Sequence, residues 1–320
     1  MVVDEIPLDG KPVRKIGSLN ALAILILGTS GQIAWVVENS WFNTFVFDEI
    51  TKDPTPIAWM VAISAITATL TTIVMGIASD RSHSRFGRRK PFIVVGYITW
   101  GFITAIYPTI SWIPSIGLAV VMVVAIDAIM TFFGSTANDA AFNAWITDIG
   151  HSSNRNRIQT LNSLCGFLAA VVAVGAAGFI IDAFGYFIFF YVLGGVVTAS
   201  GILSIFIVKT PMISTDLPKP TIPFWSEFKQ LINPTILREN RTLFLLFINM
   251  AISGIATQVY LPYIYIFLEN YLGLTKFQLG IYEALLLIIT VLILLIFGFI
   301  SHKFNRRKLV LFGTVIGGIL

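Results

Sequence analysis

Four carboxylates fall inside long stretches of this 320-residue chain that hold little other charge: Glu38, Asp127, Asp139 and Glu283. An ionisable group at the depth of a hydrocarbon layer is costly unless it meets a partner or water, so each is a candidate for binding or moving charge. The densest pattern surrounds two of them. Asp127, Thr131, Ser135, Asp139 and Asn143 recur every four residues, and each step of four carries a helical side chain about 40° past a full turn. They form a slowly winding polar stripe, the arrangement that lines a cavity. Asp139 precedes Asp148 by nine residues, a rise of about 13 Å that sets it well inside the apolar layer. A carboxylate there, partly shielded from water, can take and release a proton near neutral pH. The alternative is that Asp139 only bridges two helices. Asp127 lies nearer the opposite end of the same stretch.

Trp35, Glu38 and Trp41 are three residues apart and share one face of an ideal helix. An aromatic ring offers an apolar platform to the C–H face of a sugar while a carboxylate accepts from its hydroxyls. The competing reading is an aromatic belt at the membrane interface with a hydrated Glu38. Glu283 follows Lys276 by seven residues and reads as interfacial. Two groups of charges flank the apolar stretches. The segment GIASDRSHSRFGRRKP, 76–91, holds Gly76, Asp80, Arg81, Arg85, Gly87, Arg88 and Arg89. Asp148 with Arg155 and Arg157 makes a second group. Each can form a breakable ion-pair cluster of the kind a gate needs. The alternative for each is no more than a marker of membrane topology.

The elements that must position these residues follow from composition. The chain is 56% hydrophobic and 12% charged, against about 25% charged in soluble domains. Uncharged runs of about 20 residues suffice to cross a bilayer as helix. The expected fold is an all-α membrane protein with eight complete spans, 19–47, 57–79, 91–109, 115–147, 158–181, 186–208, 242–268 and 277–301, and a ninth beginning near 309. The net charge of +4 does not imply nucleic acid, because the charges sort by side. With the amino terminus inside, 19 of the 21 basic residues fall in cytoplasmic segments and only Lys52 and Lys276 fall outside. The lone Cys165 excludes an intrachain disulfide. The mixed charge of the first residues and the length of the first apolar run argue against a cleaved signal.

The proline-bearing stretch 209–241 divides the chain into 1–208, a six-helix half, and 242–320, an incomplete second half. Within it, Phe224, Trp225, Phe228, Leu231 and Ile232 recur at helical spacing, as in a short helix lying on the inner membrane surface. An unstructured linker is the alternative. The halves repeat each other: GIASDR then FGRRK after the second span, GFISHK then FNRRK after the eighth. Gly76 and Gly298 are 222 residues apart. Applying that offset to the last residue lands on Ile98, mid-span, so part of the second repeat is expected to be absent.

The loop 76–91 resembles the signature loop of the major facilitator superfamily, and its SRFGRRKPF form resembles that of sucrose transporters. Two further matches point to the sugar:cation symporter branch. Gly31, Gln32, Trp35, Glu38 and the run VVENSWFNTFV are similar to the branch's first helix. Asn138, Asp139, Ala144 and Asp148 resemble its fourth, with an acid nine residues before the loop acid. The resemblance implies a twelve-helix bundle that works by alternating access. It implies that Asp80 and the loop arginines act as a cytoplasmic gate, although His302 stands where the repeat would carry an acid. It also implies a sugar and a proton as ligands, with no cofactor.

The leading reading is therefore a cell-membrane secondary transporter, amino terminus cytoplasmic, that takes up a sugar or glycoside with a proton. A carrier of another small solute is the first alternative, although no Lys or Arg lies in a span to meet an organic anion. An inactive truncated fragment or interaction subunit is the second, as is a separate chain supplying the missing spans. An intramembrane enzyme has little support: HExxH, GxSxG and cysteine clusters are lacking, and Asp127 and Asp139 lie about 18 Å apart by rise, too far for an acid pair.

Overall fold

In hydrocarbon the backbone must satisfy its own hydrogen bonds, and long apolar runs do so as helix. The computed structural model describes residues 17–150, 154–209, 223–231 and 241–300, and every regular element among them is helical. In chain order these are α1 (Ser18–Glu38), α2 (Trp41–Phe45), a π-helical turn (Val46–Ile50), α3 (Thr55–Asp80), α4 (Lys90–Ile106), a 3-10 turn (Tyr107–Trp112) and α5 (Ile116–Gly134). A π-helix (Ser135–Phe142), α6 (Asn143–Ile149), α7 (Arg155–Ile207), α8 (Phe224–Leu231), α9 (Arg241–Tyr260), a 3-10 turn (Leu261–Tyr263), α10 (Ile264–Asn270) and α11 (Lys276–Ile300) follow.

Six described segments are long and apolar enough to cross a membrane: Ser18–Ile50, Thr55–Asp80, Lys90–Trp112, Ile116–Ile149, Arg157–Ile207 and Phe247–Asn270. The expected fifth and sixth spans form one run of 51 residues. Gly185 interrupts it with φ 80 and ψ 170, a conformation open chiefly to glycine. The expected eighth span corresponds to α11. The expected ninth, near 309–320, lies outside the described residues, as do 210–222 and 232–240 of the linker.

Several of the expected spans are not uninterrupted α-helices, the first and the fourth among them. The first stops at Asn39 and Ser40, where Ser40 takes φ −127 and ψ −76. Ser40 N–H turns to Val37 O at 3.1 Å, and the Val36 carbonyl it leaves is met by Ser40 Oγ at 2.7 Å; Asn39 Nδ2 adds a side-chain bond to Trp35 O at 2.8 Å. The fourth widens into the π-helix at Ser135–Phe142.

The bundle presents an apolar outer surface and holds polar residues among the apolar ones of its core. Ile66, Phe102 and Val121 are about three-fifths exposed on its outer surface, while Ser30, Ser135 and Thr104 are buried. Close seams run through small residues, as expected where lipid gives no hydrophobic drive between helices. A Cβ added at Gly101 would lie 2.4 Å from Thr198 N, and one at Gly201 would lie 2.8 Å from Ile98 N. The second arm of α7 therefore runs antiparallel against α4. On the first arm of α7, Ala173 and Ala177 are buried, whereas a Cβ at Gly166 would meet nothing within 4 Å. At one end of the bundle the rings of Phe42, Phe45, Tyr107 and Phe190 pack in tilted and edge-on pairs with centroids 4.5 to 5.7 Å apart.

Candidate functional site

The polar residues of α1, α3 and α5 converge on a cavity of about 760 Å³. Trp35 and Glu38 enter it from α1, Ser64 from α3, Asp127 and Thr131 from α5, and Asp139 from the π-helix. Gly254 and Gln258 of α9 close the opposite wall. The cavity thus lies between helices from either side of the linker.

Its acids are placed by specific neighbours. Glu38 is buried and its Oε1 accepts from Thr131 Oγ1 at 3.0 Å. Asp127 is 1% exposed, and its Oδ2 accepts a short hydrogen bond from Ser64 Oγ. In each acid the second oxygen, Glu38 Oε2 and Asp127 Oδ1, is buried with no protein partner. An unmatched buried carboxylate oxygen is energetically expensive, so both are sites where a proton, a cation or a ligand hydroxyl would be favoured. Asp139 is half-buried, and its Oδ1 accepts from Asn138 Nδ2 at 3.2 Å. Asn138 is held in turn by Tyr97, whose Oη lies 2.9 Å from Asn138 Oδ1 and 2.8 Å from Leu27 O. Trp35 Nε1 and Ser135 Oγ stand close to Asp139 outside hydrogen-bond geometry.

The π-helix explains how Asp127 and Asp139 reach one cavity. In an α-helix residues four apart overshoot a full turn, whereas the wider i→i+5 turn makes them fall short. The drift that carries the stripe around α5 is therefore reversed between Ser135 and Asp139. Two members of the expected stripe, Ser135 and Asn143, do not join the cavity wall. Ser135 is fully buried behind it, and Asn143 is exposed, its Nδ2 donating to Asp139 O at 3.3 Å.

The aromatic trio is also divided. Trp35 packs on Trp100 with centroids 5.0 Å apart and lines the cavity. Trp41, displaced by the break at Asn39 and Ser40, is buried edge-on against Tyr265, 4.9 Å away. Sequence reasoning passed over Ser64 and left Gln258 without a role. Ser64 is a single hydroxyl among many in α3, and only its position opposite Asp127 distinguishes it.

The charged loops form one cluster where the sequence suggested two. Asp148, at the end of α6, accepts from Arg88 through a fork, Nη2 to Oδ1 at 2.6 Å and Nε to Oδ2 at 3.2 Å. Arg89 is buried, and reaches Asp148 Oδ2 at 3.2 Å, Ser79 Oγ at 2.5 Å and the carboxylate of Asp80. Two arginines thus share two carboxylates from the ends of α3 and α6. Arg155 is exposed at the start of α7 and makes no ion pair with Asp148, which corrects the expectation of a separate cluster there. Arg85 is exposed and lies over the Phe86 ring at 4.8 Å, and Arg81 lies 5.7 Å from the ring of Phe224 in α8. Gly87 has φ 95 and closes a turn on Ser84 O, which explains glycine at this position. A Cβ at Gly76 would meet nothing within 4 Å among the described residues.

A helical membrane bundle with a polar cavity between its two parts and an arginine–carboxylate cluster at one end is the architecture of a secondary transporter. Residues 21–320 match the Major Facilitator Superfamily model, and the chain belongs to that superfamily of membrane transporters. Over 108 residues the chain is 32% identical to the general alpha-glucoside permease of Schizosaccharomyces pombe (strain 972 / ATCC 24843). That stretch takes up 33% of this chain and 18% of the permease, well under two thirds of the relative's length.

Proposed function

We propose that the protein carries a sugar or glycoside across the cell membrane together with a proton, by alternating access, with its amino terminus in the cytoplasm. The observation that carries this reading is the cavity between the α1–α5 bundle and α9, in which an aromatic face, Trp35, stands beside three carboxylates. The unmatched oxygens of Glu38 and Asp127 supply acceptors for sugar hydroxyls or a proton. Asp139, partly open to the cavity, is the coupling group. Protonation removes its charge, the neutral site favours the loaded and closed state, and release of the proton on the far side resets the carrier. The likeness to an alpha-glucoside permease supports a glycoside as the solute.

In this reading the halves 1–208 and 242–320 rock about the site, with 209–241 as their cytoplasmic connection. Eight complete spans and the start of a ninth belong to a twelve-span plan. The Asp80–Arg89–Asp148–Arg88 cluster is the cytoplasmic gate, with Gly87 shaping its turn.

The test is uptake of a radiolabelled alpha-glucoside into proteoliposomes under an imposed proton gradient, with Asp139→Asn beside the native chain. Acidifying the outside should stimulate uptake by the native chain, and Asp139→Asn should flatten that pH dependence. Uptake by the variant that stays fully proton-driven would refute the assignment.

A further inference from the structure

We propose that Lys276 is the bolt of an ion-pair latch that holds the two halves together at the end of the bundle opposite the arginine cluster. That end is fixed by α3, which begins at Thr55 beside the latch and ends at Asp80 in the arginine cluster. Its 26 residues separate the two by about 39 Å of rise. The proposal rests on the transporter reading only in that such a molecule must open and close.

The latch draws on four segments. Lys276, at the first position of α11, has a side chain only 12% exposed. Its Nζ lies 2.9 Å from Asp48 Oδ2, in the π-helical turn that follows α2, and pairs with the carboxylate of Glu269 in α10. Tyr186, the residue after the break in α7, donates from its hydroxyl to the same Asp48 Oδ2 at 2.8 Å and places its ring 5.5 Å from the ammonium. One turn before that break, Asp182 Oδ2 accepts from the backbone N–H of Phe277 at 2.7 Å, a carboxylate at the positive end of α11. Gly178 lets the chains approach this closely, since a Cβ there would lie 2.1 Å from Lys276 O.

Asp48, Asp182, Tyr186 and Gly178 precede the linker, whereas Glu269, Lys276 and Phe277 follow it. The contact is therefore made between the halves, unlike the Arg88–Arg89 cluster, whose members all precede the linker. The charge count makes it conditional. Two carboxylates share one largely buried ammonium, one oxygen of Glu269 has no partner, and Lys52, 3.3 Å from Asp48, is mostly exposed. Removing the ammonium leaves two carboxylates facing each other across the seam, so loss of Lys276 should push the halves apart as well as release them.

The experiment measures that separation directly, so its outcome does not depend on whether the solute is a sugar or the coupling ion a proton. In the full chain with Cys165→Ala, spin labels are placed through Ile116→Cys and Leu272→Cys, exposed residues of the two halves at the latch end. Distances are read by double electron–electron resonance in lipid nanodiscs. Lys276→Gln should raise the ratio of long to short distances about fivefold, the shift that corresponds to an interaction of about 1 kcal/mol. Asp48→Asn should shift it in the same direction. The exchange variant Asp48→Lys with Lys276→Asp keeps an ammonium between carboxylates and should return the distribution toward the native one. Unchanged distributions in both single variants would overturn the proposal, and so would an exchange variant as open as Lys276→Gln. If Lys276→Gln fails to fold, Asp48→Asn and the exchange variant carry the same comparison.

Discussion

The acids of the cavity differ in what the protein gives them. Asp127 receives a hydroxyl from Ser64, Glu38 receives one from Thr131, and Asp139 receives an amide from Asn138. Ser64→Ala should leave both oxygens of Asp127 without a hydrogen bond and cost about 1–3 kcal/mol, read as a lower apparent melting temperature in detergent. Ser64→Thr, which keeps the hydroxyl, should recover most of the loss; equal stability of Ser64→Ala and the native chain would show that the bond carries no weight. These acids were legible in the sequence because a carboxylate in a long apolar run has few innocent explanations. Their hydroxyl partners were not, since serine and threonine occur throughout apolar helices and take on meaning only across a helix–helix contact. Trp41 shows the converse error. It lay on the same ideal helix face as Trp35, and the break at Asn39 and Ser40, stabilised by their own side chains, turned it toward Tyr265 instead.

At the scale of elements, periodicity located the helices and missed their irregularities. The π-helix at Ser135–Phe142 falls on the stretch STANDAAF, poor in large apolar residues and rich in groups that compete for backbone hydrogen bonds. That composition was visible, but its effect, bringing Asp139 back toward the side of Asp127, depends on a turn width that four-residue spacing does not encode. The loop ends were legible in part. Arginines and aspartates could be named as a cluster, yet the pairing of Asp148 with Arg88 and Arg89 instead of Arg155 depends on where α4 and α6 meet. Arg89→Ala should remove the buried guanidinium shared by Asp80, Asp148 and Ser79, destabilising the protein by about 2–3 kcal/mol. Arg85→Ala, at an exposed side chain over Phe86, should stay within about 0.5 kcal/mol. Thermal unfolding of the two variants in parallel checks the difference, and equal losses would mean that the arginines act only through total positive charge.

For the whole molecule, we propose two helical bodies that meet around the polar cavity, pinned by the Lys276 latch at one end and bearing the arginine–carboxylate cluster at the other. The repeat of GIASDR and FGRRK by GFISHK and FNRRK is the sequence signal for this proposed two-part plan. The latch was not readable: Asp48, Asp182, Glu269 and Lys276 are ordinary loop and interface charges until the chain folds. We propose that one solute site is built jointly by helices from both sides of residues 209–241. In the Cys165→Ala chain, single cysteines at Ala68, on α3, and at Gly254, on α9, face the same cavity, and the rate at which each reacts with a maleimide reports whether the space around it is filled. An alpha-glucoside should slow labelling at both positions with the same concentration dependence, whereas protection at only one, or at neither, would contradict a shared site.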